Sequence, residues 1–330
     1  MKSYDSFTVA YVDLCRQVRD EYEFDSAPRG MRIKEKLGVQ FRIKNPRDRL
    51  PMVGARNFSA SYFVAETLWY LSGSDSTAWI SRYASFWQGI SDDGVTANSA
   101  YGARIFRPHS RIAGGGITQW DYVKEELRKD PDSRRAVIHI RTPDDSLHAV
   151  KDVPCTLALQ FFIREGKLHL HVNMRSSDII LGIAYDVPAF TVMQEIMANE
   201  LDVGLGEYVH TSNSLHCYER DFEMLDAIAN DKELPWQNHP MPPLPKVFPL
   251  DDLMRIEEQV HKINDGEFLD GFVLLSPKLS DEAEDPAAHQ LVNDWRNVLC
   301  SFRARSMKDA KLAHRYLRST EYKGYHFFKR

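Results

Sequence analysis

The chain has 330 residues, 43% apolar and 27% charged, the balance of a soluble globular protein with one large domain or two small ones. Its formal net charge of −5 excludes a nonspecific nucleic-acid binder, so any polyanion it recognises has to be small and held by a few local arginines. Four well-separated cysteines (Cys15, Cys155, Cys217, Cys300) without CxxC or Cys/His spacing argue against a structural zinc site; with no leader-like N-terminus and no membrane-length apolar run, the expectation is a reducing cytoplasm, free thiols and no metal.

Residues 3–22 carry helical periodicity, with Phe7, Ala10, Tyr11, Leu14 and Val18 on one face. Arg29-Gly30-Met31-Arg32 reads as a loop, and the alternation from Gly38 to Ile43 as a half-buried strand. Asn57 is placed to cap a helix from Phe58 to Leu71, which stops at Ser72-Gly73. Residues 74–118, rich in Gly, Ser, Asp and Trp, predict short helices joined by loops. A helix over Gln119–Lys129 ends at the turn Asp130-Pro131-Asp132, which sets Arg134 and Arg135 at the start of a strand, Ala136–Arg141. Strands follow at 155–164 and 167–174 around the turn Glu165-Gly166. Then come a buried helix over 188–201, a short strand leading to His210 and a helix from Tyr218 to Ala229. Pro235 to Pro249 holds six prolines and reads as a connector. Beyond it lie a strand-helix-strand pattern closing near Leu275 and a charged helical stretch over 282–318. Strands mixed with helices, without regular βαβ alternation, predict an α+β fold.

Cys155 opens an almost wholly apolar strand, and Pro154 feeds the chain into it in an extended geometry. A lone cysteine is more often a small buried hydrophobe; one at the mouth of a central strand can face a cleft as a nucleophile. Arg29, Arg134, Arg135 and Arg175 each sit at a strand end or in a glycine-containing loop. Singly, each reads as a solvated surface charge. Converging on one anion, they would make bidentate phosphate contacts, with the Ser176 hydroxyl as a further donor. Glu66 lies on an apolar helix, where burial would raise its pKa and suit proton transfer; the alternative is an exposed helix position.

Several segments, in order and spacing, resemble the folate-dependent thymidylate synthase family, including the pyrimidine nucleotide hydroxymethylases. They are Ala65-Glu66-Thr67-Leu68-Trp69-Tyr70-Leu71, Tyr101-Gly102, Asp130-Pro131-Asp132-Ser133-Arg134-Arg135, Pro154-Cys155, Gln160-Phe161, Arg175-Ser176-Ser177-Asp178, Leu181-Gly182 and His216-Cys217-Tyr218. The match covers roughly residues 25–225, and the last hundred residues match poorly. The resemblance implies a large mixed sheet covered by helices and packed across a homodimer. It divides the chain into a catalytic core, 1–245, and a divergent helical part, 246–330. Cys155 resembles the nucleophile that adds to pyrimidine C6, which turns C5 into the attacking carbon. Arg29, Arg175 and Ser176 resemble ligands of the 5′-phosphate of a nucleoside monophosphate. Arg134 and Arg135 resemble the pair donated across the dimer interface. His216 and Tyr218 resemble binders of the 3′-hydroxyl. Glu66 and Tyr101 resemble proton-transfer groups, Asp178 and Gly182 residues between base and folate, and Trp87 a wall of the site for 5,10-methylenetetrahydrofolate. Guanidinium groups near Cys155 are expected to lower its thiol pKa.

Where thymidylate synthases carry an asparagine, this chain has Asp186 in Ala184-Tyr185-Asp186. An ionised aspartate cannot donate to uracil O4, but it suits the 4-amino group of cytosine and can share a proton with N3. That departure resembles the cytidylate (CMP or dCMP) 5-hydroxymethylases; the competing reading is a cap on a helix starting near Pro188. Ile90 stands where a second tryptophan is usual. The charged C-terminus, ending Tyr325-His326-Phe327-Phe328-Lys329-Arg330, differs from the usual short apolar tail, so water rather than hydride is expected at the last step. Thr156 and Met174 replace a common histidine and glutamine. Thymidylate synthesis on dUMP is the nearest alternative. A cysteine hydrolase using Cys155 and His216 and a non-catalytic nucleotide binder are more remote.

Overall fold

The computed structural model describes residues 1–108, 116–147, 149–231, 238–262, 265, 268 and 285–328. An eight-stranded mixed sheet runs in the order β1-β3-β8-β6-β5-β4, with β2 on β3 and β7 on β8. The strands are β1 (Lys2–Tyr4), β2 (Phe24–Ser26), β3 (Ile33–Ile43), β4 (Val137–His139), β5 (Thr156–Arg164), β6 (Lys167–Met174), β7 (Ser177–Asp178) and β8 (Gly204–Tyr218). β6 and β7 lie parallel to β8, whereas β3 is antiparallel to β8 and β5 to β6. Period-two alternation sorts the faces of β6: Leu168, Leu170, Val172 and Met174 are buried, while Lys167, His169, His171 and Asn173 point the other way. The α+β expectation holds.

Three helices make the layer that matters for the site: α1 (Phe7–Asp20), α2 (Ala60–Leu71) and α7 (Ile183–Glu200). Between α2 and α7 lie the short α3 (Thr77–Ile80), α4 (Phe86–Ile90) and α5 (Tyr101–Phe106), then α6 (Gln119–Lys129). Every residue of α2 is buried, as is α7 from Ile183 to Ala198, so both are core helices with apolar surface nearly all round. Gly102 lets α5 lie directly on α2, because a Cβ there would stand 2.1 Å from the Tyr70 carbonyl oxygen.

The structure moves several predicted boundaries. The N-terminal helix begins at Phe7, since Lys2–Tyr4 pair with Phe41–Ile43 and Ser6 takes the cap. The strand predicted from Gly38 starts at Ile33. Ser59, not Asn57, caps α2 by accepting from the Tyr62 amide at 3.2 Å; Asn57 instead adopts a left-handed φ of 53°. The helix predicted from residue 188 starts at Ile183. Pro188 forfeits one backbone hydrogen bond inside it, a loss outweighed by burial on all sides. The predicted short strand to His210 is fifteen residues long and runs through Tyr218, because Ile33–Ile43 pairs along it, so the next helix begins at Phe222. After the proline connector, Leu250–Lys262 is a helix rather than the opening of a strand-helix-strand unit; the second strand expected near Leu275 lies outside the described residues. The stretch predicted over 282–318 is two helices, Pro286–Ser306 and Ala310–Arg318, parted at Lys308 with its φ of 62°.

Candidate active site

The sheet brings the predicted residues to one end. Thr156 pairs with Met174 across β5 and β6, so Cys155 lies beside Arg175. Asp178 pairs with His216 across β7 and β8, and the loop carrying Arg29 joins β2 to β3 next to Tyr218. Cys155, Arg175, Ser176, Asp178, His216, Tyr218 and Arg29 therefore share one edge of the fold.

Arg175 is clamped across that edge. Its Nε donates to the Pro154 carbonyl at 2.9 Å, and one Nη donates to the Val153 carbonyl at 2.8 Å and lies 3.6 Å from Cys155 Sγ. The thiol is nevertheless raised above its usual value. Burial is the largest cause and Arg175 opposes it, while Asp186, Asp152 and Asp178 add to it. The expectation of a lowered thiol pKa is corrected: one guanidinium does not outweigh desolvation and three carboxylates.

Asp178 folds its carboxylate back onto the following turn, accepting from the Ile180 and Leu181 amides at 2.8 and 3.2 Å, with Arg220 3.8 Å away. Gly182 caps α7, and its carbonyl accepts from the Tyr185 and Asp186 amides. A Cβ at Gly182 would stand 2.9 Å from the Asp178 carbonyl oxygen and 3.4 Å from Asp186 Oδ2, so the turn needs a glycine for closeness rather than for φ. Asp186 thus sits inside the first turn and is not the cap. Its side chain is 8% exposed and makes no hydrogen bond among the described residues. Burial first, and Asp178 second, push its pKa up to about 7.

Glu66, 5% exposed on α2, accepts from the Tyr62 hydroxyl at 2.7 Å through Oε1, while Oε2 is buried without a hydrogen-bond partner among the described residues. Burial and then Asp186 raise its pKa to about 8, against the Tyr62 and Tyr70 hydroxyls. Tyr101 packs on Tyr70 at 5.3 Å. Burial lifts its phenol well above the usual value, Asp186 and Cys155 add to the shift, and Thr156 opposes it. The two replaced positions meet: the Thr156 hydroxyl donates to Met174 Sδ at 2.9 Å. The His216 ring meets Tyr218 edge-on at 5.2 Å.

Three predicted residues stand apart. Arg134 and Arg135 are exposed just before β4, which pairs Val137 with Gln160, five residues along β5 from Cys155. At about 3.3 Å per residue, that is roughly 17 Å of strand. Trp87 is 7% exposed and packs against Trp69 at 4.9 Å rather than lining an open wall. Sequence reasoning missed Tyr62, Tyr185 and Arg56. Tyr185 stacks on Phe58 at 4.8 Å, and Arg56 donates to the Ile180 carbonyl at 2.7 Å and lies over the Tyr185 ring. For Tyr62 the signal was present: it precedes Glu66 by one helical turn.

The last described residue, Phe328, packs against the fold. Phe328 is 4% exposed and packs on Phe58 at 5.0 Å. A cavity of about 470 Å³ lies between Val53, Asn57 and Phe58 on one side and His326, Phe327 and Phe328 on the other.

A profile of the family described as Thymidylate synthase matches residues 9–251. The chain belongs to the thymidylate synthase family. It is 36% identical over 222 residues to a deoxyuridylate hydroxymethyltransferase of Bacillus phage SP01, covering 65% of this chain and 58% of that one. To a thymidylate synthase of Bacillus phage phi3T it is 28% identical over 210 residues, covering 63% and 74%. In fold it is similar to the thermostable thymidylate synthase A from Bacillus subtilis, with a TM-score of 0.59 and 24% identity, over 69% of this chain and 85% of that one. No helix among the described residues is long and apolar enough to cross a membrane, and those residues hold no cluster of potential metal ligands.

Proposed function

We propose that the protein is a cytidylate 5-hydroxymethyltransferase acting on dCMP or CMP, with 5,10-methylenetetrahydrofolate as one-carbon donor. The observation that carries the substrate is Asp186: a buried carboxyl without a hydrogen-bond partner, about half protonated near neutral pH. Cys155 Sγ adds to C6 of the pyrimidine, breaking the C5–C6 double bond. Cytosine accepts that electron pair well only when N3 gains a proton, and a carboxyl titrating at about 7 is matched to give it. With uracil the charge develops on O4 instead, where a half-ionised carboxyl repels it.

The chain's other residues take supporting roles. Arg175, Arg29, Ser176 and the Arg134–Arg135 pair of a partner subunit bind the phosphate. A homodimer follows from this assignment, because the chain's own pair lies well along β5 from Cys155. Guanidinium groups gathered around Cys155 would offset the burial that holds it as a thiol. His216 and Tyr218 hold the sugar, and Glu66 and Tyr101 move protons at the base. The folate, when bound, supplies a one-carbon unit at the formaldehyde oxidation level. The cavity beside Phe58 and Phe328 offers aromatic walls for its aromatic extension, so Phe58 and Phe328, with Asp178 and Gly182, are assigned to hold it. Trp87 supports that wall from behind. Hydroxymethyl rather than methyl transfer is supported by the hydroxymethyltransferase relative and by Ile90; with Phe328 seated, the tail does not argue for it.

A uracil nucleotide is the second reading, favoured by the deoxyuridylate named for that relative. One competition assay separates them: tritium release from [5-³H]dCMP, CMP and dUMP, with product and dihydrofolate measured. Preferred release from a cytidylate, with 5-hydroxymethyl product and no dihydrofolate, is expected; a dUMP preference with dihydrofolate formation would refute the proposal.

A further inference from the structure

A chain of hydrogen bonds ends on Glu66. Trp87 Nε1 donates to the Tyr62 hydroxyl at 3.1 Å, and that hydroxyl donates to Glu66 Oε1 at 2.7 Å. All three side chains are buried, so each bond is shielded from water and its direction is fixed. Trp87 can only donate, which leaves the tyrosine proton to go to the carboxyl. The Tyr62 ring is itself held edge-on against Tyr185 at 4.7 Å. Tyr185 stacks on Phe58, which carries Phe328.

We propose that Tyr62 is a positioning residue for Glu66: it occupies Oε1 and fixes the carboxyl, so that Oε2 is the oxygen that exchanges protons with the nucleotide. The inference rests on the reading of Glu66 as a proton-transfer group. Two bonds in series give the carboxyl one orientation, and the unpartnered Oε2 marks the position left for an exchanging proton. The other charged and titratable groups facing the carboxyl are Tyr70 on the same helix and Asp186 from α7. Tyr101 faces Tyr70 rather than Glu66. The Tyr62 and Tyr70 hydroxyls favour the ionised carboxylate and Asp186 disfavours it. Removing the Tyr62 hydroxyl takes away one favouring contact, so the titration of Glu66 moves upward.

The test is the pH–rate profile of tritium release in the whole chain, with whichever of [5-³H]dCMP, [5-³H]CMP or [5-³H]dUMP the wild type turns over and a saturating folate donor. In Tyr62→Phe, kcat falls about tenfold and the limb set by Glu66 moves up by about one pH unit. Trp87→Phe, which weakens the tyrosine as donor, moves the same limb the same way by less. An unshifted limb in a folded Tyr62→Phe overturns the inference; if that variant does not fold, an unshifted limb in Trp87→Phe does so. Wild-type release by Glu66→Gln, or release from none of the three nucleotides by the wild type, defeats the functional reading and the inference with it.

Discussion

Asp186→Asn isolates the group on which the substrate assignment turns. With a midpoint at about 7, the carboxyl is roughly nine-tenths protonated at pH 6, half at pH 7 and a tenth at pH 8. Turnover of a cytidylate should therefore fall about fivefold from pH 7 to pH 8 and about tenfold per pH unit beyond that. Asparagine keeps the volume but has no acidic proton, so the N3 contribution goes. General-acid assistance of this kind is worth about 10² to 10⁴ in rate, and kcat/KM for dCMP or CMP should drop by that factor. The substitution also removes the second cause of the raised Glu66 pKa, so the Glu66 limb moves down. With dUMP the repulsion at O4 is gone, and kcat/KM should rise. The assay is tritium release from mixed [5-³H]dCMP and [5-³H]dUMP between pH 6 and pH 8.5. A base preference unchanged by the substitution would remove Asp186 from base reading, as would a wild-type cytidylate rate flat across that range.

Glu66→Gln should abolish turnover yet stabilise the fold. A carboxyl raised to about 8 keeps a proton that the unfolded chain gives up near pH 4.5, so its contribution to stability is lost as pH rises between those values. The variant's gain should be near zero at pH 4.5 and about 4 kcal/mol at pH 8 by urea unfolding; a gain independent of pH would contradict the burial argument. Gly182→Ala pushes a methyl against the Asp178 carbonyl and Asp186, and should cost about 1–3 kcal/mol together with most of kcat; wild-type kinetics would show that the turn has slack. Arg175→Gln removes the cation that touches Cys155 at 3.6 Å, so iodoacetamide should label that thiol several-fold more slowly at pH 8; faster labelling would reverse the sign assigned to Arg175.

Much of the site was legible because its residues are local in sequence and sit at element ends. Pro154-Cys155, the Arg175–Asp178 turn and the Leu181–Asp186 turn are short segments, and the sheet needed only to set them side by side. Glu66 was readable as buried from its apolar neighbours. What failed were balances between distant groups. The sequence holds the arginines near Cys155 but not the depth of burial, and burial prevails. Asn57 and Ser59 are both good caps, and only the left-handed backbone at Asn57 decides between them. The charged composition of the C-terminus hid an apolar end: Tyr325 and Phe328 face inward while their neighbours carry the charge. Trp87 has the residue type of a ligand wall, yet its indole is engaged by Tyr62 and Trp69.

Helix α2 takes Trp295 against Phe63 on one flank and presents Glu66 toward Asp186 on another, with all twelve residues buried. Such a helix leaves mutation little room. A larger side chain has no solvent to turn into, and a smaller one opens a void beside a carboxyl whose acidity depends on dryness. New substrate preferences are therefore more accessible through the turn at Leu181–Asp186 and Phe328 than through α2, which makes this helix the fixed part of the design and its surroundings the adjustable part.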